Sequence, residues 1–218
     1  MANYLRRSLV LILGLFILAV GIGFSVSANL GVSPVSCLPY VVSLWQPISM
    51  GTVSMLMQGV FLLIQILILR REFKPFQLLQ LGVLLIFGLF TDLGVAITAG
   101  IQPQSYLGQW LCLLVSLPVI ALGVALEVKA GLLVLPMEGM VSAIAAKTGR
   151  PFGQIKVWVD SALVVIAAAL SLAVFGQLRG VREGTVIAAI VIGYIVKWIS
   201  PRLGFLDGFL GIEAKEAA

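Results

Sequence analysis

Six stretches of this chain are each close to one bilayer core in length and nearly free of charge, a pattern that few folds can absorb. A hydrocarbon core about 30 Å thick needs roughly 20 helical residues. Leu9–Ala28, Gly51–Leu69, Phe76–Ala99, Gln109–Val128, Gly153–Phe175 and Thr185–Ser200 meet or approach that length. Two more apolar stretches, Pro34–Trp45 and Pro136–Lys147, are too short to cross and suit re-entrant or interfacial helices. Composition points the same way, with 61% of residues apolar and 11% charged. A soluble domain carries about a quarter charged residues, and it does not expose apolar surface on the scale this chain would. The sequence therefore predicts a single all-α polytopic membrane domain over residues 1–218. It has six transmembrane helices and two short half-helices.

The apolar run that follows Arg6 and Arg7 is too long for a signal peptide and leads to no small-residue cleavage site, so it reads as a first span. Charge placement decides whether the short helices cross. With six spans and the N-terminus inside, 12 of the 14 Lys and Arg residues fall on the cytoplasmic side, and only Arg179 and Arg182 lie outside. Letting both short helices cross reduces the bias to 8 against 6. The positive-inside rule selects six spans, both termini cytoplasmic, and a short cytoplasmic tail over residues 201–218. The same placement argues against nucleic acid, because the basic residues sit in short loops rather than on one face.

The chain also matches itself at an offset of about 100 residues. Gly21 falls on Gly123, Pro34 on Pro136 and Gly51 on Gly153; with a small shift, Gly88–Asp92 falls on Gly193–Lys197. Each half, 8–100 and 108–200, holds three spans and one short helix. An odd number of spans inverts the second half, so a 3+3 inverted-topology repeat is expected. Pro34 and Pro136 suit the first turn of the short helices, and Gly51 and Gly153 open the spans that follow. Ser33 is a candidate N-cap, while Lys147, Gly149 and Arg150 suit the end of the second short helix. Half-helices of opposite entry bring their N-termini, with free N–H groups and partial positive charge, toward each other near mid-membrane.

Several of these residues resemble a known pattern. Ala28, Asn29, Gly31 and Pro34 followed by Gly51-Thr52, then Phe87 before Gly88–Asp92, and Ala130-Gly131, Pro136, Glu138 and Met140 in the second half resemble the YczE family, small YitT-like bacterial integral membrane proteins. The resemblance covers nearly the whole chain. It departs after Pro34, where Val35-Ser36 stand instead of that family's Trp-Asp pair. It implies a bacterial cytoplasmic membrane fold rather than a known reaction.

Ionisable groups at membrane depth are costly and usually face a cavity, a partner or a pathway. Glu138 lies in the first turn of the second short helix, where it caps that helix or meets a cation or proton. Asp160 lies four residues from Lys156 and can pair with it. Gln58, its repeat mate, is also mid-span. Asp92 and Lys197 read as span-end residues, and Glu127 as an interfacial one. Asn29, Ser33, Ser36, Gln58, Glu138 and Asp160 are the expected solute-binding residues, with Glu138 and Asp160 carrying any coupling proton. Cys37 and Cys112 read as small buried hydrophobes, and Trp45, Trp110, Trp158 and Trp198 as interfacial anchors.

Histidine is absent, and no Walker loop, dinucleotide fingerprint, zinc set or nucleophile elbow occurs. The expectation is a non-enzymatic protein with no cofactor or metal. Its partners are the lipid bilayer and a small-molecule solute, with homodimerisation through Gly14, Ala19, Gly21 and Gly23 left open. Transport by alternating access fits best; a passive channel and a ligand- or partner-binding subunit are the alternatives.

Overall fold

The computed structural model describes residues 2–210. The tail beyond them, including Lys215, lies outside the described residues. All secondary structure among the described residues is helical: α1 (Ala2–Ala28), α2 (Pro34–Trp45), α3 (Met50–Leu69), α4 (Gln80–Thr98), α5 (Tyr106–Ala130), α6 (Pro136–Thr148), α7 (Phe152–Phe175), α8 (Glu183–Ile199) and α9 (Leu206–Leu210). Short 3-10 turns follow α3, precede α4 and join α8 to α9. Six helical stretches are long and apolar enough to cross a membrane: Asn3–Ala28, Met50–Glu72, Pro75–Thr98, Tyr106–Ala130, Phe152–Phe175 and Glu183–Leu210. The chain is a multi-pass membrane protein.

Antiparallel α1 and α5 form the centre, with α4 on α1 and α8 on α5. Small residues bring these backbones together. A Cβ on Gly23 would overlap the Gly94 carbonyl, and one on Gly21 would sit 2.7 Å from Ile120. The Gly14–Gly23 face of α1 is thus consumed inside the chain by α4 and α5, and dispersion across such close contacts holds helices together where lipid offers no hydrophobic drive. The last described residues fold back onto the start of α1. Arg6 and Arg7 donate to the Phe209 and Leu210 carbonyls, both at 3.3 Å, and Lys129 pairs with Asp207 at 2.5 Å. Both described ends therefore lie at one end of the bundle.

The short helices start and stop where the sequence places them, each with proline at N1. α6 ends at Gly149 in the left-handed conformation (φ 66°), as a glycine C-cap should. Neither crosses the bundle. Pro34 lies beside Asp160, Ser161 and Val164 in the middle of α7, and Cys37 and Val41 pack with Ala167 farther along it. α6 starts beside Gln58 in the middle of α3, passes Gln65 at Gly139 and reaches Glu72 through Lys147, at 2.6 Å.

Asp92, expected as a span-end residue, is level with the start of the α3 span. It stands well inside α4, and its carboxylate caps α3. Oδ1 accepts from the Gly51 N–H and Oδ2 from the Ser49 hydroxyl, each at 2.6 Å, while Ser49 Oγ accepts from the Thr52 N–H. The first N–H groups of a helix have no intrahelical partner, and a carboxylate there is favoured by both hydrogen bonding and the helix dipole. Asp92→Ala is expected to destabilise the protein by about 1–2 kcal/mol, with Asp92→Asn recovering part of the loss, as read by thermal unfolding in detergent.

Candidate functional site

Two chain breaks, 29–33 before α2 and 131–135 before α6, carry most of the buried polar chemistry. Broken backbone inside a membrane fold must find partners in the protein. The first break finds backbone and side chains alike. Val32 N–H donates to Gly180 O at 3.2 Å, Leu30 O accepts from Gly184 N–H at 2.8 Å, and Ser25 Oγ donates to Gly31 O at 3.3 Å. Gly31 holds φ 97°, a conformation closed to other residues without strain.

The second break finds side chains. Glu127 Oε1 accepts from the Leu135 N–H at 2.9 Å. Gln58 Oε1 accepts from the Met137 N–H at 3.0 Å, and Gln80 Nε2 donates to Val134 O at 3.1 Å. Glu127 is only 4% exposed, so the interfacial role read from its place near the end of a span is corrected. It is a buried acceptor for the turn that starts α6. The first turn of α6 also differs from the open N–H cradle expected for it, because Gln58 and Glu127 already occupy two of its donors.

Glu138 follows in that same turn. Its Oε2 is buried and takes no donor. Lys156 and Asp160, paired on α7 at 3.0 Å, lie within its electrostatic reach, as does Glu127. Lys156 Nζ also lies 3.9 Å from Met137 Sδ. The two short-helix first turns converge, but through apolar side chains: Val35 and Leu38 of α2 pack into the cluster that holds Met137, Met140 and Phe61. Asp160 spans the two. It lines a cavity with Pro34 on one side and stands with Lys156 and Glu138 on the other.

The remaining expected site residues sit elsewhere. Ser33 occupies the N-cap position of α2 without a side-chain cap bond; its hydroxyl donates to Ser36 Oγ at 3.0 Å, and both serines are buried. Asn29 is exposed, with φ 53°, and opens with Ser27, Gln102, Gln104 and Gln109 onto a separate polar cavity of about 420 Å³ between the ends of α1, α4 and α5. Sequence reasoning missed Gln65, Gln80 and Thr185. Gln65 and Gln80 are 1% and 2% exposed, and each leaves its Oε1 without a donor. The spacing Ser54, Gln58, Gln65 marks one helical face and was the available signal for Gln65.

Among the described residues no group of histidine, cysteine, aspartate or glutamate is placed to hold a metal. Cys37 and Cys112 are buried free thiols.

Residues 5–201 match the family described as "Family of unknown function (DUF6198)". The chain belongs to this family. The match takes in four of the six long spans whole, most of the first and last, both short helices and every residue of the polar cluster. No curated protein and no solved structure matches the chain.

Proposed function

We propose that the protein moves a small cationic solute, or a polar solute coupled to protons, across the bacterial cytoplasmic membrane by alternating access between two inverted halves. One observation carries this reading. Beside the first turn of α6, where Lys156 reaches Met137, the Lys156–Asp160 pair stands near a second buried carboxylate, Glu138, whose Oε2 takes no donor. Acidic charge in excess at membrane depth is costly unless protons or a cationic ligand offset it. A purely structural ion pair would need one carboxylate.

The packing supports the inverted repeat. α2 lies on α7 and α6 on α3, so each short helix is held by a span of the opposite half; α1 with α4 is likewise echoed by α5 with α8. The halves differ in one respect. α3 and α4 are pressed together at Gly51 and Gly88, whereas α7 and α8 scarcely touch. One closed half and one open half is what alternating access requires of a single state. The YczE resemblance and the positive-inside bias favour a bacterial cytoplasmic membrane with both termini in the cytoplasm. No enzymatic step enters the reading.

Proteoliposomes given a panel of cationic and neutral solutes test it. Saturable uptake with a pH dependence that disappears in Glu138→Gln and Asp160→Asn is expected. Flux that never saturates makes the protein a passive pore, and flux whose pH dependence survives both substitutions removes the coupling role of these carboxylates.

A further inference from the structure

Where α7 and α8 stand apart, a cavity of about 300 Å³ opens between them. Its walls are aliphatic: Val157, Val164 and Val165 from α7, and Val186, Ala189 and Ile190 from α8. Its floor is polar, formed by Asp160, Ser161 and the buried Thr185 at the Pro34 turn of α2. At its rim, Val157, Val165, Val186 and Ile190 are each more than half exposed. A mouth ringed by bare aliphatic side chains on two membrane-length helices opens into hydrocarbon, not water. Asp160 presents a carboxylate at the inner end. Lys156 occupies Oδ1, and Oδ2 takes no donor among the described residues.

We infer that the α7–α8 groove binds an amphipathic cation drawn sideways from the bilayer, with its apolar body between the two valine-lined walls and its charged end at Asp160. The size matches the lower end of small-molecule sites, which are mostly apolar with a few placed polar groups. The charge matches as well, since Asp160 Oδ2 at this end of the groove takes no donor among the described residues. The binding claim stands on the groove's own geometry. It rests on the transport reading only for what happens to the ligand afterwards.

The test uses purified full-length protein in detergent, with tetraphenylphosphonium as the probe. Tetraphenylborate, of like shape and opposite charge, and guanidinium, a cation with no apolar body, are the comparisons. Calorimetry should give saturable tetraphenylphosphonium binding, with tetraphenylborate and guanidinium at least about tenfold weaker, a difference of about 1.4 kcal/mol. Lys156→Gln/Asp160→Asn removes the charge pair without stranding a lysine, and should weaken tetraphenylphosphonium by a similar factor. Ala189→Trp fills the groove and should abolish binding, whereas Leu172→Trp, at an exposed position of the neighbouring span α7, should not. Equal binding of the phosphonium and the borate overturns the cation claim. Binding that survives Ala189→Trp overturns the groove. If Ala189→Trp instead changes only the oligomeric mass, the groove seats a second copy of the chain and the proposal fails. Tetraphenylphosphonium that binds but is never carried across liposomes leaves the site standing and sinks transport. Carried guanidinium that tetraphenylphosphonium does not inhibit does the reverse.

Discussion

Leucine at Gly51 or Gly88 will prevent the protein from folding to a monodisperse state, while leucine at the equivalent Gly153 or Gly193 will leave the fold intact and stop transport. The first half of this expectation is steric. A Cβ on Gly51 would overlap the Gly88 carbonyl oxygen and crowd the Asp92 carboxylate; a Cβ on Gly88 would lie 2.8 Å from the Gly51 carbonyl oxygen and overlap Met55. Backbone cannot yield there without unseating the Asp92 cap at the start of α3. Overpacking a tight core costs about 1–3 kcal/mol for a few added methylenes, and a whole leucine against backbone exceeds that range. The second half rests on contrast. Gly153 and Gly193 meet nothing within 4 Å. Val157 and Ile190 both line the α7–α8 cavity; Gly153 lies about one turn before Val157 in α7, and Gly193 about one turn after Ile190 in α8. Two glycines with open space around them have no steric purpose in this state. They acquire one if α7 and α8 close as α3 and α4 have. Size-exclusion profiles and thermal unfolding read the fold, and liposome flux reads the closure. Normal flux in Gly153→Leu and Gly193→Leu would remove the second closed state from the mechanism.

The spans and short helices were legible because membrane helices declare themselves by length and by Pro and Gly punctuation rather than by a subtle period. α2 runs over the residues expected of it, and α6 begins at Pro136 and stops at Gly149. α1 starts well before the apolar run, at Ala2, because Arg6 and Arg7 find the Phe209 and Leu210 carbonyls and the helix continues past the hydrocarbon. The candidate site was only partly legible. Pro34, Glu138 and the Lys156–Asp160 pair could be read because their neighbours are local or belong to the repeat. The partners of Asp92 were not legible because Ser49 and Gly51 lie at the start of another helix and are reached only when two glycines let the backbones touch. Gln80 was unreadable because its partner is a carbonyl in a break on the far side of the chain. Polar side chains that serve distant backbone leave no local pattern.

Glu127 is the clearest case of that kind, and the largest single side-chain effect in the polar cluster is expected there. Nearly all of its surface is buried, and one oxygen holds the N–H of Leu135, eight residues on. That bond turns the chain from the end of α5 into the start of α6. Glu127→Ala leaves the N–H buried without an acceptor, a loss of about 1–3 kcal/mol, and opens space beside the break. Glu127→Gln keeps a carbonyl oxygen in place and removes the charge, so it should unfold close to wild type. The pair of substitutions separates structure from charge. Thermal unfolding should fall by several degrees in the alanine variant and little in the glutamine variant, at about 2–4 °C per kcal/mol for a chain of this size. Transport should fall in both, because the glutamine variant removes a buried carboxylate from the start of α6. Equal stability of Glu127→Ala and wild type would show that the break is held by Gln58 and Gln80 alone. Full transport in Glu127→Gln would restrict the functional carboxylates to Glu138 and Asp160, with Glu127 left as a helix-starting acceptor and nothing more.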